Sequence, residues 1–285
     1  MTREAKEKLY EGGQIPEILV FVPTYNSEKY LRQCLDSVVN QTFKDWQCVI
    51  SDDASTDRSV EIANEYQAKD SRFKVITHSK NVGAANNWNR AIDGNESFAT
   101  KILCADDYLY PDALSKQLNI LKETDSAIVF SEREVVFPSG KKLHPKLPIY
   151  SNKISFSEAF KHYIKAGRNI FGEPVAVLFR TDKLKNSEGF LPKFEYTLDT
   201  SGYMAISRGN QVSFDKNLVG VFRVSKDQWS HRLRSKQFSH IFKFIDHLVE
   251  VEGVRVSRLE VLVGKIKVMG ANLIRVLIYK FLREK

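Results

Sequence analysis

The sequence contains few of the residues that mark disulfide-linked, metal-binding or membrane-spanning proteins. Its 285 residues include only three cysteines, none in a Cys-x-x-Cys pair, and six histidines without a His-Glu-x-x-His spacing. No run reaches the ~18 uncharged apolar residues of a membrane span. We therefore expect neither a redox centre nor a spanning helix, and we interpret Cys34, Cys48 and Cys104 as reduced core residues.

A targeting signal and low-complexity segments are also absent. Residues 1–8 are rich in charge and no apolar segment follows them, so we expect no signal peptide and a cytoplasmic protein. The composition, 42% hydrophobic and 27% charged, is that of a folded globular protein. The length allows one large α/β domain with additions or two smaller domains.

The net charge of +8 is concentrated near the C-terminus. Residues 231–285 contain twelve basic and five acidic residues, and residues 258–285 form an imperfect basic amphipathic pattern. Two interpretations stay open: a helix packed on the catalytic domain or another subunit, or a helix docked on an anionic membrane surface. Nucleic-acid binding is not expected, because no binding motif or aromatic platform is present.

The first half of the chain alternates apolar runs with amphipathic stretches. Strands are predicted at residues 17–22, 46–51, 73–77 and up to 104. Helices are predicted at residues 27–40, from Ser55 onwards, at 84–92 and at 112–124. This alternation predicts right-handed crossovers and a mostly parallel sheet.

The second half is less regular. Predicted elements are a strand at 127–130, a hairpin at 138–140, a helix at 156–166, a strand at 175–179, a helix at 195–207 and two strands at 212–214 and 218–222. From about residue 236 the sequence is helical, with Gly253, Gly264 and Gly270 expected to interrupt it.

Two pairs of aspartates each follow an apolar run. One pair is Asp106-Asp107 and the other is Asp52-Asp53. A single pair is typical of a solvated turn. Two pairs at strand ends indicate a site, because ligands of open α/β sheets bind beyond the carboxyl ends of the strands. Adjacent carboxylates repel each other, which favours a bound cation or ligand hydroxyls.

Five motifs in order extend this interpretation. They are Val22-Pro23-Thr24-Tyr25-Asn26, residues 37–43 (Ser-Val-Val-Asn-Gln-Thr-Phe), residues 51–57 (Ser-Asp-Asp-Ala-Ser-Thr-Asp), Asn81-Val82-Gly83 and Cys104-Ala105-Asp106-Asp107. Together they closely resemble the inverting GT-A glycosyltransferases of family 2 over residues 16–130. A dinucleotide-binding Rossmann domain would need a Gly-x-Gly-x-x-Gly turn after the first strand, and residues 23–27 contain no glycine.

The resemblance implies an α/β GT-A fold with a Rossmann-like, mostly parallel sheet flanked by helices. The catalytic domain would span residues 16–230, with a nucleotide-sugar-binding half at 16–130 and an acceptor half at 131–230. A basic helical extension would follow at 231–285.

The resemblance also assigns donor-site roles. Pro23 and Tyr25 would line the base pocket, and Asp53 would accept a hydrogen bond from the imide N–H of uracil or thymine, which cytosine cannot supply. Asp106 would hold the ribose hydroxyls. Asp107 would bind a divalent metal, Mn²⁺ or Mg²⁺, that bridges the diphosphate oxygens.

An inverting transfer also needs a general base, which in the family lies on a helix of the second half. Asp199 is the candidate, with Glu195 as its nearest rival. Ser225 stands where many members carry a metal-site histidine, and serine is a poorer ligand than imidazole. The metal would then be held by Asp107, diphosphate and water, unless His231 reaches the site.

The function implied is transfer of a sugar from a UDP- or dTDP-sugar to the hydroxyl of a saccharide or lipid-linked saccharide. We expect a role in bacterial surface polysaccharide or lipopolysaccharide assembly, in the cytoplasm or peripherally on the inner face of the membrane. The alternative is an inactive nucleotide-sugar-binding protein of the same fold, for which Ser225 would be the first sign.

Overall fold

A computed structural model describes residues 14–147, 152–225 and 237–281 of the chain. Its strands are β1 (Ile18–Thr24), β2 (Trp46–Asp52), β3 (Phe73–Thr77), β4 (Ala99–Ile102), β5 (Tyr108–Leu109), β6 (Ile128–Val136), β7 (Lys142–Leu143), β8 (Lys153–Ser155), β9 (Val177–Arg180) and β10 (Gln211–Arg223). Its α-helices are α1 (Glu28–Val39), α2 (Ser59–Lys69), α3 (Ala84–Asn89), α4 (Ala113–Thr124), α5 (Phe156–Ala166), α6 (Thr181–Lys185), α7 (Leu198–Ser207), α8 (Gln237–Glu250) and α9 (Arg258–Phe281). Three 3-10 turns lie at Arg90–Ile92, Pro174–Ala176 and Pro192–Thr197.

The strands belong to one mixed sheet with the order β3-β2-β1-β4-β9-β6-β10-β5, in which β7 pairs with β6 and β8 with β10. Strands β3, β2, β1 and β4 are parallel, as the alternation of strands and helices predicts. Strand β9 is antiparallel to both β4 and β6. The predicted α/β class is confirmed, and the second half of the chain continues the sheet of the first.

The sheet is buried on both faces. Along β1, Val20 packs into a core with Leu31 and Leu35 of α1. The next residue, Phe21, points to the other face and joins a core that includes Tyr203 and Phe244. Because successive strand side chains point to opposite faces, a continuous apolar run is what a doubly covered strand requires.

The C-terminal helices pack against the second half of the sheet domain. Helix α8 buries Phe244 and Leu248. Helix α9 lies on α5, and a Cβ atom added to Gly264 would come within 2.2 Å of the Ile164 carbonyl oxygen. Gly264 is therefore a contact point inside a continuous helix. The breaks predicted at Gly264 and Gly270 were wrong, whereas Gly253 does lie between α8 and α9.

Two other predicted boundaries differ from the structure. The helix expected from Ser55 begins at Ser59, because the preceding residues are used in loop hydrogen bonds. The two strands expected at 212–214 and 218–222 are one strand, β10, whose pairing with β6 shifts register between Asp215 and Leu218. Among the described residues, no helix combines the length and apolar character needed to cross a bilayer.

Candidate active site

A cleft of about 340 Å³ opens beyond the carboxyl ends of β1 and β4. Its wall includes Pro23 near the end of β1, Tyr25 directly after that strand, Asp106 after β4, and Glu173 and Asp199 from the second half of the chain. Other lining residues are Asn26, Ser27, Lys29, Tyr30, Ala84, Trp88, Cys104, Ala105, Pro174, Tyr196, Leu198, Phe222 and Ser225. This is the position at which open α/β sheets bind ligands.

The loops after β1 and β2 are joined by side chains from the sequence motifs. The Asn26 Oδ1 atom accepts a hydrogen bond from the Thr56 N–H at 2.8 Å. The Asp57 Oδ2 atom accepts one from the Glu28 N–H at 2.9 Å. Asx residues commonly satisfy backbone groups of turns in this way. These bonds fix the loop that carries Tyr25 at the cleft.

Asp53 lies behind the cleft wall and is buried. Its carboxylate accepts hydrogen bonds from the Val82 N–H at 2.7 Å and the Gly83 N–H at 3.0 Å. Gly83 has φ +84°, a conformation that favours glycine. The Asn81-Val82-Gly83 motif is therefore the binding partner of Asp53, and the pair fixes the start of α3.

The two aspartates after β4 have different surroundings. Asp106 lines the cleft, whereas Asp107 is buried. The Asp107 Oδ1 atom accepts a hydrogen bond from the Arg223 N–H at 2.9 Å, and the Arg223 Nε donates to the Asp106 carbonyl oxygen at 3.0 Å. Burial raises the pKa of the Asp107 carboxyl well above its usual range. Arg223 therefore ties the end of β10 to this aspartate pair.

The surroundings of Asp107 fit a metal that arrives with a phosphate ligand. Among the residues that the structure describes, its buried Oδ2 atom has no hydrogen-bond partner. A carboxylate oxygen in that state is costly unless a cation or donor reaches it. The described residues hold no group of three or more His, Cys, Asp or Glu side chains that could enclose a metal. One or two carboxylates completed by phosphate oxygens and water is a common arrangement for Mg²⁺.

Asp199 stands at the first turn of α7 and lines the cleft. The Asn169 Nδ2 donates to its Oδ2 atom at 3.2 Å, and the Thr200 N–H donates to its Oδ1 atom at 2.7 Å. Burial, together with the nearby charge of Glu173, raises the pKa of Asp199 to about 6, against the hydrogen bonds from Thr200 to the charged form. A carboxylate with a pKa close to neutral pH is suited to general-base catalysis.

Sequence reasoning missed Glu173 and Asn169. The Glu173 Oε2 atom pairs with the Arg133 Nε at 2.6 Å, and the Arg133 side chain is 9% exposed. The Asn169 Nδ2 also donates to the Gly172 carbonyl oxygen at 3.1 Å. The only local signal in the sequence was an acid between a glycine, Gly172, and a proline, Pro174. That pattern reads equally well as a surface turn.

The comparison with protein families decides what kind of site this is. The model of glycosyl transferase family 2 matches residues 19–185, which include the motif residues around the cleft. The chain belongs to glycosyl transferase family 2. The cleft therefore lies in the matched region and in the residues that directly follow it.

Relatives of this family 2 member include large synthases. A chondroitin synthase from Pasteurella multocida (strain Pm70) is 26% identical over 197 residues, which cover 68% of this chain and 19% of that protein. The poly(ribitol-phosphate) beta-glucosyltransferase of Bacillus spizizenii is 28% identical over 209 residues, covering 68% of this chain and 33% of that protein. The chain thus spans a fifth to a third of the length of these relatives.

Solved structures show the same fold. S. aureus TarS 1-349 in complex with UDP-GlcNAc has a TM-score of 0.65 at 20% identity, over 82% of this chain and 67% of that one. The mannosyltransferase PcManGT from Pyrobaculum calidifontis, in complex with GDP-Man and Mn²⁺, has a TM-score of 0.59 at 16% identity, over 96% and 82% of the two chains. At these identities the likeness establishes the GT-A fold.

Two further residues singled out in the sequence, Ser225 and Glu195, differ in their relation to the cleft. Ser225, which the resemblance predicts to replace a metal-site histidine, lines the cleft. Glu195, the rival of Asp199, lies in the 3-10 turn before α7 and is not part of the cleft wall. His231 lies outside the described residues. Ser225 therefore faces the cleft. Of the two candidate general bases, Asp199 lines the cleft and Glu195 does not.

Proposed function

We propose that this chain is an inverting glycosyltransferase that moves a sugar from a UDP- or dTDP-sugar to a hydroxyl of a saccharide or lipid-linked saccharide. The observation that carries the proposal is one cleft lined by Asp106 from the first half of the chain and Asp199 from the second. A donor-binding carboxylate and a candidate base thus share one space. Transfer needs both in reach of the same nucleotide-sugar molecule.

The donor would occupy the part of the cleft next to β1. Pro23 and Tyr25 would contact the base, and Asp106 would accept hydrogen bonds from the ribose hydroxyls. Asp53 would accept the imide N–H of uracil or thymine. Its two oxygens each accept one backbone N–H, and a carboxylate oxygen can accept a second bond. The complex of TarS with UDP-GlcNAc supports a uridine donor.

Asp199 would act in the chemical step. Its deprotonated carboxylate takes the proton of the acceptor hydroxyl while that oxygen forms a bond to the anomeric carbon. The bond from the anomeric carbon to the phosphate oxygen breaks, and its electron pair leaves with the nucleoside diphosphate. Attack on the face opposite to the leaving group inverts the anomeric configuration, so a single base suffices.

Asp107, whose Oδ2 atom bonds to none of the described residues, would hold a divalent metal together with the diphosphate and water. Such a cation supplies charge stabilisation to the departing nucleoside diphosphate. The complex of PcManGT with GDP-Man and Mn²⁺ supports a metal of this type. Arg223 keeps Asp107 oriented through its backbone N–H.

The names of the relatives support a biosynthetic role. They include a chondroitin synthase, a poly(ribitol-phosphate) beta-glucosyltransferase and a putative teichuronic acid biosynthesis glycosyltransferase. We therefore propose that the acceptor belongs to a bacterial surface polysaccharide or lipopolysaccharide. A loss of transfer activity, with nucleotide-sugar binding retained, is the second candidate, and Ser225 in the cleft is the observation that favours it.

The test is release of nucleoside diphosphate from UDP-, dTDP- and GDP-sugars, with Mn²⁺, with Mg²⁺ and with a chelator. We expect release from uridine or thymidine donors and little from GDP-mannose. The anomeric configuration of the product, measured by NMR, decides between inversion and retention. Equal use of GDP-mannose would refute the proposed preference for a uracil or thymine nucleobase. Binding of a nucleotide sugar without release of nucleoside diphosphate would establish the inactive alternative.

Helix α9 supports a further part of the proposal, docking on an anionic membrane surface. Its inner face packs on α5 through Val268 and through the Lys165–Glu260 ion pair. Its outer face carries apolar side chains that are 39–69% exposed, namely Leu259, Leu262, Val263, Ile266 and Met269. Packing on the catalytic domain and docking on a membrane thus involve different faces of one helix.

Charge favours a lipid surface over a second copy of the chain. Residues 255–270 contain four basic residues and one acid, Glu260, which is paired with Lys165 on the inner face. Two such faces would repel each other, whereas each basic residue near an anionic membrane contributes about 1 kcal/mol. Lys265 is paired with Asp246 and Lys267 donates to the Lys165 carbonyl oxygen. Arg255 and Arg258 are therefore the cations that would reach the headgroups while the apolar stripe enters the interface.

Vesicle sedimentation tests this docking. The Leu262→Glu/Ile266→Glu variant should lose binding to phosphatidylglycerol vesicles, and the matched control Leu143→Glu, at an exposed site on β7, should not. High salt should weaken wild-type binding. Equal sedimentation of both variants would refute the assignment, and a wild-type dimer that the double variant breaks in ultracentrifugation would identify a second copy as the occupant.

A further inference from the structure

Glu173 is a carboxylate of the cleft wall that the proposed transfer step does not use. Its Oε2 atom accepts a hydrogen bond from the Arg133 Nε at 2.6 Å. Among the described residues, no donor is bonded to its other oxygen, Oε1. Since the residue lines the cleft, this oxygen is available to a ligand.

The backbone around Glu173 is held rigidly. In the 3-10 turn that follows it, the Val175 carbonyl oxygen accepts a hydrogen bond from the buried Lys101 Nζ at 2.6 Å. The Ala176 carbonyl oxygen accepts one from the Gln117 Nε2 at 2.9 Å. With Arg133 orienting the side chain, little conformational entropy remains to be lost when a ligand binds.

Glu173 lies beside the candidate base. The side-chain amide of Asn169 donates both to the Asp199 Oδ2 and to the carbonyl oxygen of Gly172, the residue before Glu173. One amide group therefore spans the distance between the Asp199 carboxylate and the Glu173 segment. Glu173 therefore lies next to the carboxylate that would act on the reacting sugar in the proposed transfer step.

We propose that Glu173 accepts hydrogen bonds from hydroxyl groups of the transferred sugar, and that it makes the cleft selective for neutral sugars over uronic acids. The inference rests on the proposed function, because the cleft must hold a nucleotide sugar. A hydroxyl can donate to the Oε1 atom, whereas a sugar carboxylate has no proton to donate and adds a like charge next to Glu173 and Asp199.

Calorimetric binding without acceptor tests this inference. The ligands are UDP, UDP-glucose and UDP-glucuronate, of which the last two differ only in the group at C6. The wild-type protein should bind UDP-glucose at least ~10-fold more tightly than UDP-glucuronate, since like charges in contact cost several kcal/mol. Glu173→Gln should narrow that ratio while UDP binds unchanged, because the variant keeps shape and removes charge.

The matched control is Glu195→Gln, which removes an acid of the same region that does not line the cleft. It should leave the ratio unchanged. The inference is overturned if Glu173→Gln leaves the ratio of UDP-glucose to UDP-glucuronate affinity intact, or if Glu195→Gln narrows that ratio equally. If UDP does not bind and GDP does, only the nucleobase assignment fails. GDP-mannose and GDP-mannuronate then provide the same comparison of a neutral sugar with a uronic acid. If neither nucleotide binds, the proposed function fails and the inference with it.

Discussion

The two halves of the cleft are built by different kinds of interaction. In the first half, the motif residues mainly bind backbone groups of neighbouring loops, as Asp53 does with Gly83 and Asn26 with Thr56. Each loop lies at the end of a parallel strand, and the strand order places these ends side by side. Pro23, Tyr25 and Asp106 reach the cleft because this framework is fixed.

In the second half, the cleft residues are held by bonds from one side chain to another. Asn169 bonds to Asp199 and Arg133 pairs with Glu173, across 30 and 40 positions. Neither contact belongs to a local turn motif. The comparison teaches that the proposed donor side is a framework with a recognisable sequence pattern, whereas the wall around Asp199 is a network of side-chain contacts without a local sequence pattern.

The most severe change to the first half is Asp107→Asn. It keeps the shape of the side chain and removes the charge that would hold the metal. We expect turnover to fall roughly 10⁴-fold, since a catalytic metal supplies several kcal/mol of stabilisation. The change should also abolish the UDP-dependent binding of Mn²⁺, measured by electron paramagnetic resonance.

The far-ultraviolet circular dichroism spectrum of Asp107→Asn should match that of the wild type, because Asn can still accept the Arg223 N–H. Wild-type turnover in this variant, or Mn²⁺ binding that persists, would show that the recognisable half of the cleft does not contain the metal ligand.

Asp199→Asn tests the second half. Removal of a positioned general base lowers turnover by roughly 10² to 10⁴. Nucleotide affinity should change little, because the proposal gives Asp199 no contact with the nucleobase, ribose or diphosphate. The wild-type rate should rise as the pH passes about 6, since burial raises the pKa of Asp199 to about 6 and only its deprotonated form accepts a proton. The measurement is a pH profile of kcat.

The rival Glu195→Gln is the control for Asp199→Asn. It should retain turnover and the same acidic limb. A large loss in Glu195→Gln with none in Asp199→Asn would move the base one helical turn towards the N-terminus.

Much of the fold could be predicted from the sequence. The parallel strands and helices of the first half follow from alternating apolar periodicity, which is a local property. Strand β9 was placed within two residues, but its antiparallel pairing with β4 and β6 had no local signal. Gly264 was mistaken for a helix break, because its purpose is the close approach of α9 to α5.

Only part of the candidate site could be predicted from the sequence. Asp106 was found because paired aspartates follow predicted strands, and Tyr25 through the resemblance to family 2; both line the cleft. The bonds of Asp53 to the loop at Gly83 were not foreseen, since a carboxylate at a strand end does not reveal its backbone partners. Glu173 and Asn169 were missed because only the folded chain brings them to Asp199.

The smallest expected effect comes from Asn169→Leu, which addresses the tertiary network directly. The Asn169 amide donates to the charged form of Asp199, and loss of such a bond raises the pKa of a carboxyl. A hydrogen bond to a charged group contributes about 1.5 kcal/mol or more, equivalent to about one pH unit. The acidic limb of the kcat profile should therefore move from about pH 6 towards about pH 7, with the rate at pH 8.5 nearly unchanged.

Asn169 also donates to the Gly172 carbonyl oxygen, so a general loosening of that loop must be distinguished from an effect on Asp199. Tyr203→Phe provides the control, because the Tyr203 hydroxyl donates to the same carbonyl at 3.4 Å and makes no bond to Asp199. It should leave the acidic limb in place. A parallel shift in both variants would mean that loop position sets the pKa of Asp199. A uniform fall in rate at every pH in Asn169→Leu would make Asn169 a structural residue, and the second half of the cleft would then owe its chemistry to Asp199 alone.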